Sequence, residues 1–351
     1  MNNRFFKFKN KIFIGDILNL VKIPLEAFLK INLSFDKNIL DYEILELTSL
    51  QFLSKNKLAF LSKKKNEHSK IKNGVCLIKS DETSFLDDKV IKIPVDDPKL
   101  VFSEIIQNYC TKNIIAKPNY IQKNNIHICS SVKIGKNVEI GPFTTIKSNV
   151  VIGDNVKIDD RVTISENCVI GNNSHIKSGA YLECTVLQEN VIINQNTVIG
   201  KCGFGFIPMK NNSKIFLHIG GVLISKNSNI GSNCNIDRGF IDNTFIGEAV
   251  MIDNQVHIGH NCYISDFCVI AGKSGLSGSV ILEKNVILGG EVGIRDNVRI
   301  GENSIISAAS KVWKSFPKNS KIGGYPAQNL YDWQRIQVNN NKNIKMRKRN
   351  E

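Results

Sequence analysis

A chain of 351 residues has room for more than one core. Its nine cysteines are odd in number, scattered and without a CxxC pair, which argues against a disulfide scaffold or a cysteine zinc site and for a reducing compartment. The net charge of +14 comes from basic residues not interleaved with aromatics on any one segment. It reads as a solvated surface or a surface for an acidic partner, and no nucleic acid is expected.

The N-terminus is basic and aromatic but lacks a 7–15-residue apolar core, so no signal peptide is expected. No run approaches the ~20 apolar residues of a transmembrane segment, and a cytoplasmic location follows as the expectation. Residues 1–110 mix a helical pattern, Ile17-Leu18-Leu20-Val21, with apolar runs such as Val75-Cys76-Leu77-Ile78, and predict a small α/β domain. Residues 111–124 read as a linker.

From Ile128 an aliphatic residue recurs at every sixth position: Ile134, Ile140, Ile146, Ile152, Ile158, Ile164, Ile170, Ile176, Leu182. No helix or ordinary strand has that period. A solenoid whose coil is a triangle of three six-residue sides does, because each side turns one aliphatic residue into a shared core. The fold class is therefore mainly β, a parallel β-helix over residues 125–317. The register slips by one at Leu187 and is interrupted over 201–217, which hold Gly203-Phe204-Gly205-Phe206 and Pro208. It returns at Ile224, shortens near Ile241 and Ile246, and runs unbroken from Ile252 to Val312. Gly often follows the aliphatic residue, with Asn or Asp two places further on, as sharp corners require. Cys168, Cys184, Cys234 and Cys262 fall inside coils, where a small apolar residue packs well. Residues 318–351 form an extension, with a helix predicted over 328–346 and a basic end at Lys345, Arg347, Lys348 and Arg349.

A three-hexad coil is 18 residues, so residues 18 apart are expected to stack on adjacent coils about 4.8 Å apart. The densest departure from the repeat is Asp253-Asn254-Gln255-Val256-His257-Ile258-Gly259-His260-Asn261. His260 lies two places past Ile258 and should project from the coil surface; His257 lies near a corner. The 18-residue offset places Asp242 before His260 and Gly278 after it. A glycine stacked beside a histidine exposes its N–H to a ligand, the geometry of an oxyanion donor beside a general base. That stacked glycine is taken to set His260 apart from His257.

Here the chain resembles the UDP-3-O-acylglucosamine N-acyltransferases of lipid A biosynthesis, hexapeptide-repeat enzymes with a left-handed β-helix. The matching segments are Gly203-Phe204-Gly205-Phe206, Ile236-Asp237-Arg238-Gly239 followed by Asp242-Asn243-Thr244, Ile252-Asp253-Asn254-Gln255, His257-Ile258-Gly259-His260-Asn261 and Ala271-Gly272. The resemblance implies transfer of a 3-hydroxyacyl chain from acyl carrier protein to the 2-amino group of a UDP-sugar substrate, in a homotrimer whose sites lie between subunits. It implies His260 as general base, Asp253 as the residue that orients or polarises the site, and the Gly278 N–H as donor to the thioester oxygen. Asn254, Gln255, His257 and Asp242 are the accompanying substrate-binding candidates. It implies no metal and no cofactor beyond the phosphopantetheine of the carrier protein. The N-terminal domain would hold uridine, with Phe60 in Leu58-Ala59-Phe60-Leu61-Ser62 stacking on the base. Two departures stand out: Lys63-Lys64-Lys65-Asn66 replaces the usual Asn-Pro-Lys-Tyr, and Asn297 stands where the family often has a second histidine. A related hexapeptide acyltransferase acting on a sugar hydroxyl or transferring acetyl, a trimeric zinc hydratase and a non-catalytic scaffold are the alternatives. The hydratase needs three histidines meeting across a subunit boundary; His257 and His260 are only three apart, and the third candidate, His218, has no spacing that helps.

Overall fold

The computed structural model describes residues 3–61, 71–114, 118–123, 125–209, 212–324 and 335–340. The six-residue period is a left-handed parallel β-helix. Its three flat sides are sheets of 11, 9 and 10 strands, most of them two residues long. In each short strand the second residue turns inward, so Ile152, Ile158, Ile164 and Ile170 stack in one continuous core that ends near Val312. The coil length matches the 18-residue expectation where the repeat is regular: Ile134 pairs with Ile152, Ile140 with Ile158 and Ile146 with Ile164.

The corners explain the asparagines. Asn137, Phe143, Asn149, Asn155, Arg161, Asn167 and Asn173, one per corner, all have φ between +54° and +62°. Asn tolerates this left-handed conformation better than other non-glycine residues, which is why it dominates these positions. Just before it, a corner N–H is left outside the ladder, and a side chain on the next coil accepts from it. The Lys136 N–H donates to Asp154 Oδ1 at 2.7 Å, Asp154 to Asn172 Oδ1 at 2.8 Å and Glu248 to Asp266 Oδ1 at 2.8 Å.

Two insertions break the ruler. Ile199 pairs with Ile236 across the segment that carries the hairpin of strands Phe206–Met209 and Asn212–Ile215. Ile236 in turn pairs with Ile258, 22 residues on, because the corner after Asp237 holds four extra residues. The regular offset resumes at Phe245, which pairs with Tyr263. The slip at Leu187 is also present, since Ile170 pairs with Leu187.

The N-terminal region contains a four-stranded parallel sheet in the order Glu46–Leu47, Lys57–Phe60, Val75–Ile78, Ile91–Pro94. The run at Val75–Ile78 is buried at all four residues, as a central strand covered on both faces should be. The Ile17-Leu18 pattern lies on the helix Ile14–Val21. The helix Pro98–Tyr109 starts with Pro98 in its first turn, and Asp97 Oδ1 accepts from the Lys99 and Leu100 N–H groups at 3.0 Å.

One face of the four-stranded sheet covers a small core of the region's own, with Leu50, Ala59, Leu61, Cys76, Ile78 and Val90, and the other shares a core with the solenoid. Phe102, Phe6 and Ile105 are buried together with Phe216, Ile219, Phe240 and Ile241 from the two solenoid insertions. Cys184 belongs to this junction as well. It sits at a corner with φ +47° and faces outward, so its assignment to the coil interior is corrected, whereas Cys168, Cys234 and Cys262 do lie in the solenoid core. Arg238 is 3% exposed and crosses the junction: its Nε donates to the His218 carbonyl at 2.9 Å, its Nη1 donates to the Gly200 carbonyl at 3.0 Å and pairs with Glu183 at 3.1 Å. Lys112 also pairs with Glu183. Burial pushes the Glu183 carboxyl up, but the Lys112 hydrogen bond and the charges of Arg238 and Lys112 outweigh it and hold it below the usual carboxylate range.

Of the helix predicted over 328–346, residues 335–340 are helical and exposed, and the remainder lies outside the described residues. So do the Lys63–Asn66 departure and the basic end from Lys345 to Arg349.

Candidate functional site

The short strand His257–Ile258 carries the site. Ile258 is fully buried and fixes the strand in the core, so the two residues after it are forced out around the corner. Asn261 takes the left-handed corner conformation at φ +60°. Its Oδ1 accepts from the Phe240 N–H at 2.8 Å and lies 2.9 Å from His260 Nδ1. An oxygen already identified as an acceptor by the backbone N–H must be met by a donor, so His260 carries its proton on Nδ1. Its Nε2 is left with the lone pair, the form required of a base.

Nε2 points at Gly278. The Ser279 N–H donates to the His260 carbonyl at 2.8 Å, which places the Gly278 corner one coil on directly beside the ring. A Cβ at position 278 would fall 2.7 Å from His260 Nε2 and 2.8 Å from its Cε1. Gly278 occupies the corner position whose N–H elsewhere is taken by an Asp or Asn of the next coil. Here that neighbour is Asp296, whose carboxylate instead faces Asn297 and Arg295. No acceptor for the Gly278 N–H occurs among the described residues.

The remaining candidates divide. Asp242 does not stack on His260: the extra residues in the preceding corner shift the register, and Arg238 takes the position that the 18-residue ruler gave to Asp242. Asp242 instead borders a cavity of about 540 Å³ with Glu46, Thr48, Phe52 and Lys57 of the N-terminal region. Asp253 does not reach His260 within the chain either. Its Oδ2 accepts from the Gly272 N–H at 3.1 Å and its Oδ1 from the Asn254 N–H at 2.7 Å, a corner-capping role. With Asn254 and Gln255 it lines a separate shallow cavity of about 480 Å³ at the opposite corner of the same side of the prism. His257 projects from the flat of that side, half exposed, with Nε2 3.9 Å from the buried Asp237 carboxylate. The stacked glycine does not by itself distinguish the two histidines, because His257 pairs with Gly275. The difference is that a Cβ on Gly275 would meet nothing within 4 Å, while one on Gly278 would strike the His260 ring.

Phe60 packs against Phe102 at 5.0 Å and Phe240 at 6.2 Å between ring centroids. That packs it against the junction core. Asn297 occupies an ordinary corner at φ +60°, its Nδ2 donating to Asp296.

The third histidine weighed for a zinc site, His218, was not expected beside His260. His218 is wholly buried, and its ring lies 5.0 Å from that of His260. The interrupted register over residues 201–221 hides this proximity, since no fixed offset runs across an insertion. The Gly203-Phe204-Gly205 motif was the available signal. A Cβ on Gly203 would fall 2.8 Å from His260 Cβ and 3.1 Å from His218 Nε2, and one on Gly205 would fall 2.5 Å from His218 Cε1. Both glycines are there because the chain passes flat over two imidazoles.

Comparison with known proteins bears on the fold. Residues 149–184, within the solenoid, match the bacterial transferase hexapeptide (six repeats) family. The chain is 40% identical over 135 residues to the UDP-3-O-acylglucosamine N-acyltransferase of Methylobacterium nodulans, a stretch that covers 38% of each protein. It is 38% identical over 143 residues to the enzyme of that name from Campylobacter lari, covering 40% of this chain and 44% of that one. The matched stretch thus spans about two fifths of the length of these relatives. The Arabidopsis UDP-N-acetylglucosamine acyltransferase structure superposes with a TM-score of 0.53 at 26% identity, covering 62% of this chain and 77% of that one. These matches show that the chain resembles the UDP-3-O-acylglucosamine N-acyltransferases. Among the described residues no helix is long and apolar enough to cross a membrane.

Proposed function

We infer that the protein is an N-acyltransferase that moves a 3-hydroxyacyl chain from the thioester of acyl carrier protein to the 2-amino group of UDP-3-O-acylglucosamine. The observation that carries this reading is the approach of His260 Nε2 to Gly278, whose N–H has no acceptor among the described residues. The amine nitrogen attacks the thioester carbonyl carbon as Nε2 takes its proton. The negative charge that gathers on the carbonyl oxygen accepts from the Gly278 N–H. Collapse breaks the C–S bond, and the leaving thiolate takes the proton back from the His260 imidazolium, giving an amide and a free thiol. The relatives' name supplies the substrates, and the resemblance of the Gly203-Phe204-Gly205-Phe206 and His257-Ile258-Gly259-His260-Asn261 segments supports the reading.

A trimer completes the site. Met251, Val269, Ile287 and Ile305 form an outward, in-register ladder along one side of the prism, each 40–47% exposed. A contiguous aliphatic strip of this kind is the surface of a subunit interface. Closing three such prisms would set the Asp253–Gln255 corner of one copy near the His260 corner of the next, which gives these residues the substrate role they lack within a single chain. The protein acts in the cytoplasm, where acyl carrier protein and UDP-sugars are found, and the net charge of +14 favours capture of an acidic carrier. The test is incubation of the purified protein with 3-hydroxyacyl carrier protein and either UDP-3-O-acylglucosamine or UDP-N-acetylglucosamine, with products identified by mass spectrometry. An amide formed on the first substrate supports the reading, and acylation of the second alone overturns it.

A further inference from the structure

A second, buried imidazole lies beside His260, its ring 5.0 Å away and tilted by 60°. His218 stacks on Phe216, with centroids 5.4 Å apart and planes 18° apart, and meets the edge of Phe240 at 5.5 Å. Its Nδ1 lies 3.3 Å from Cys202 Sγ, and its carbonyl accepts from Arg238 Nε. Its Nε2 is buried, has no hydrogen-bond partner and borders the small space shared with Gly203 and His260.

We propose that His218 is a positioning residue for the acyl transfer: a neutral imidazole wedged behind His260 that confines its ring to the orientation in which Nε2 faces Gly278. The inference rests on the function proposed above for His260. The titratable or charged groups facing His218 are Cys202 from the segment after Lys201, His260 from the adjoining corner, Arg238 from the inserted corner and Lys99 from the helix Pro98–Tyr109. Burial first, then His260, Arg238 and Lys99, disfavour a proton on His218 and push it down to about 3. The proton taken from the nucleophile therefore stays on His260, where the leaving thiolate can collect it, and does not pass to the second ring.

The asparagine on one side and the imidazole on the other act at different points. Asn261 sets which nitrogen of His260 carries the proton; His218 sets where the other nitrogen points. Removing the wedge leaves the base present and misaimed, which lowers turnover without weakening substrate binding.

The test uses the full chain with 15N-labelled histidine, comparing wild type with His218→Gln, which is neutral and of similar volume, and His218→Ala, which removes the wedge. In wild type and His218→Gln the His260 resonances should report one tautomer, protonated at Nδ1, with kcat within about threefold of each other. In His218→Ala they should report a mixture, with kcat reduced about 10- to 100-fold and KM for both substrates within about twofold, the cost of a misplaced catalytic group. Three results overturn the proposal: a loss of kcat in His218→Ala with the His260 spectrum unchanged, full activity in that variant, or a wild-type His218 that titrates near the ordinary histidine value. The last of these is read from wild type alone and needs no variant to fold. If the wild type shows no acyl transfer, the assigned function fails, but the spectra of the three proteins still decide whether His218 orders His260.

Discussion

Gly278 lies flat against the ring of His260, so close that a methyl group at position 278 would fall 2.7 Å from Nε2. Real carbon–nitrogen contacts do not reach that distance, so one side must move. Gly278→Ala should therefore reduce kcat by about 100-fold or more by displacing the base and covering the N–H. Gly278 has no positive φ that alanine would strain, so the thermal midpoint should change little. Steady-state kinetics beside a melting curve would check it, and an unfolded variant would contradict it.

Asn261 offers a second handle on the same base. Asn261→Asp places a carboxylate beside Nδ1, which favours the imidazolium form of His260. The acid limb of the kcat/KM profile should then move to higher pH, with activity at pH 6 falling more than activity at pH 8. A limb that stays in place would show that Nδ1 is not held by residue 261.

The legibility of this chain in its sequence was uneven, for physical reasons. Ile128 to Leu182 announce the solenoid because each short side must bury one aliphatic residue, and the asparagines announce the corners because few other residues accept φ near +57°. Gly278 was reachable from His260 because the coils between them are regular. Asp242 was misplaced because four extra residues after Asp237 break the offset, and His218 was not placed beside His260 because no fixed offset runs across the insertion between Lys201 and Val222. Asp253 reads as a site residue in the sequence and as a corner cap in the single chain; the arrangement of copies decides between them, and a pattern within one chain does not encode it directly.

Arg238 ties the N-terminal region to the two insertions. Arg238→Met would leave the partly buried Glu183 with one cation fewer and the buried carbonyls of His218 and Gly200 without this donor. Breaking a buried ion pair from one side costs on the order of 3–5 kcal/mol. Urea unfolding should show a loss of this order, and a change of less than about 1 kcal/mol would mean that Lys112 alone satisfies Glu183.

The buried His218 gives stability a pH dependence of known sign. Its proton affinity in the folded protein is well below that of an unfolded chain, where histidine titrates at about 6.5. Between that value and about 3 the unfolded chain binds the extra proton, so stability is lost as pH falls through this window. Glu183, held low in the fold, adds a loss of the same sign below its unfolded value of about 4.3. His218→Gln should therefore flatten the fall in melting temperature between pH 6.5 and pH 5, above the range in which Glu183 contributes. An equally steep fall in the variant would assign the dependence to other groups.

The most direct test of the central claim is single-turnover acyl transfer from 3-hydroxyacyl carrier protein to UDP-3-O-acylglucosamine by wild type, His260→Ala and His257→Ala. A general base contributes about 10²- to 10⁴-fold. His260→Ala should lose that much in rate while binding the sugar nucleotide normally, and His257→Ala, half exposed on the flat of the prism, should lose far less. Equal losses in the two variants, or transfer at the wild-type rate without His260, would contradict the assignment of the base.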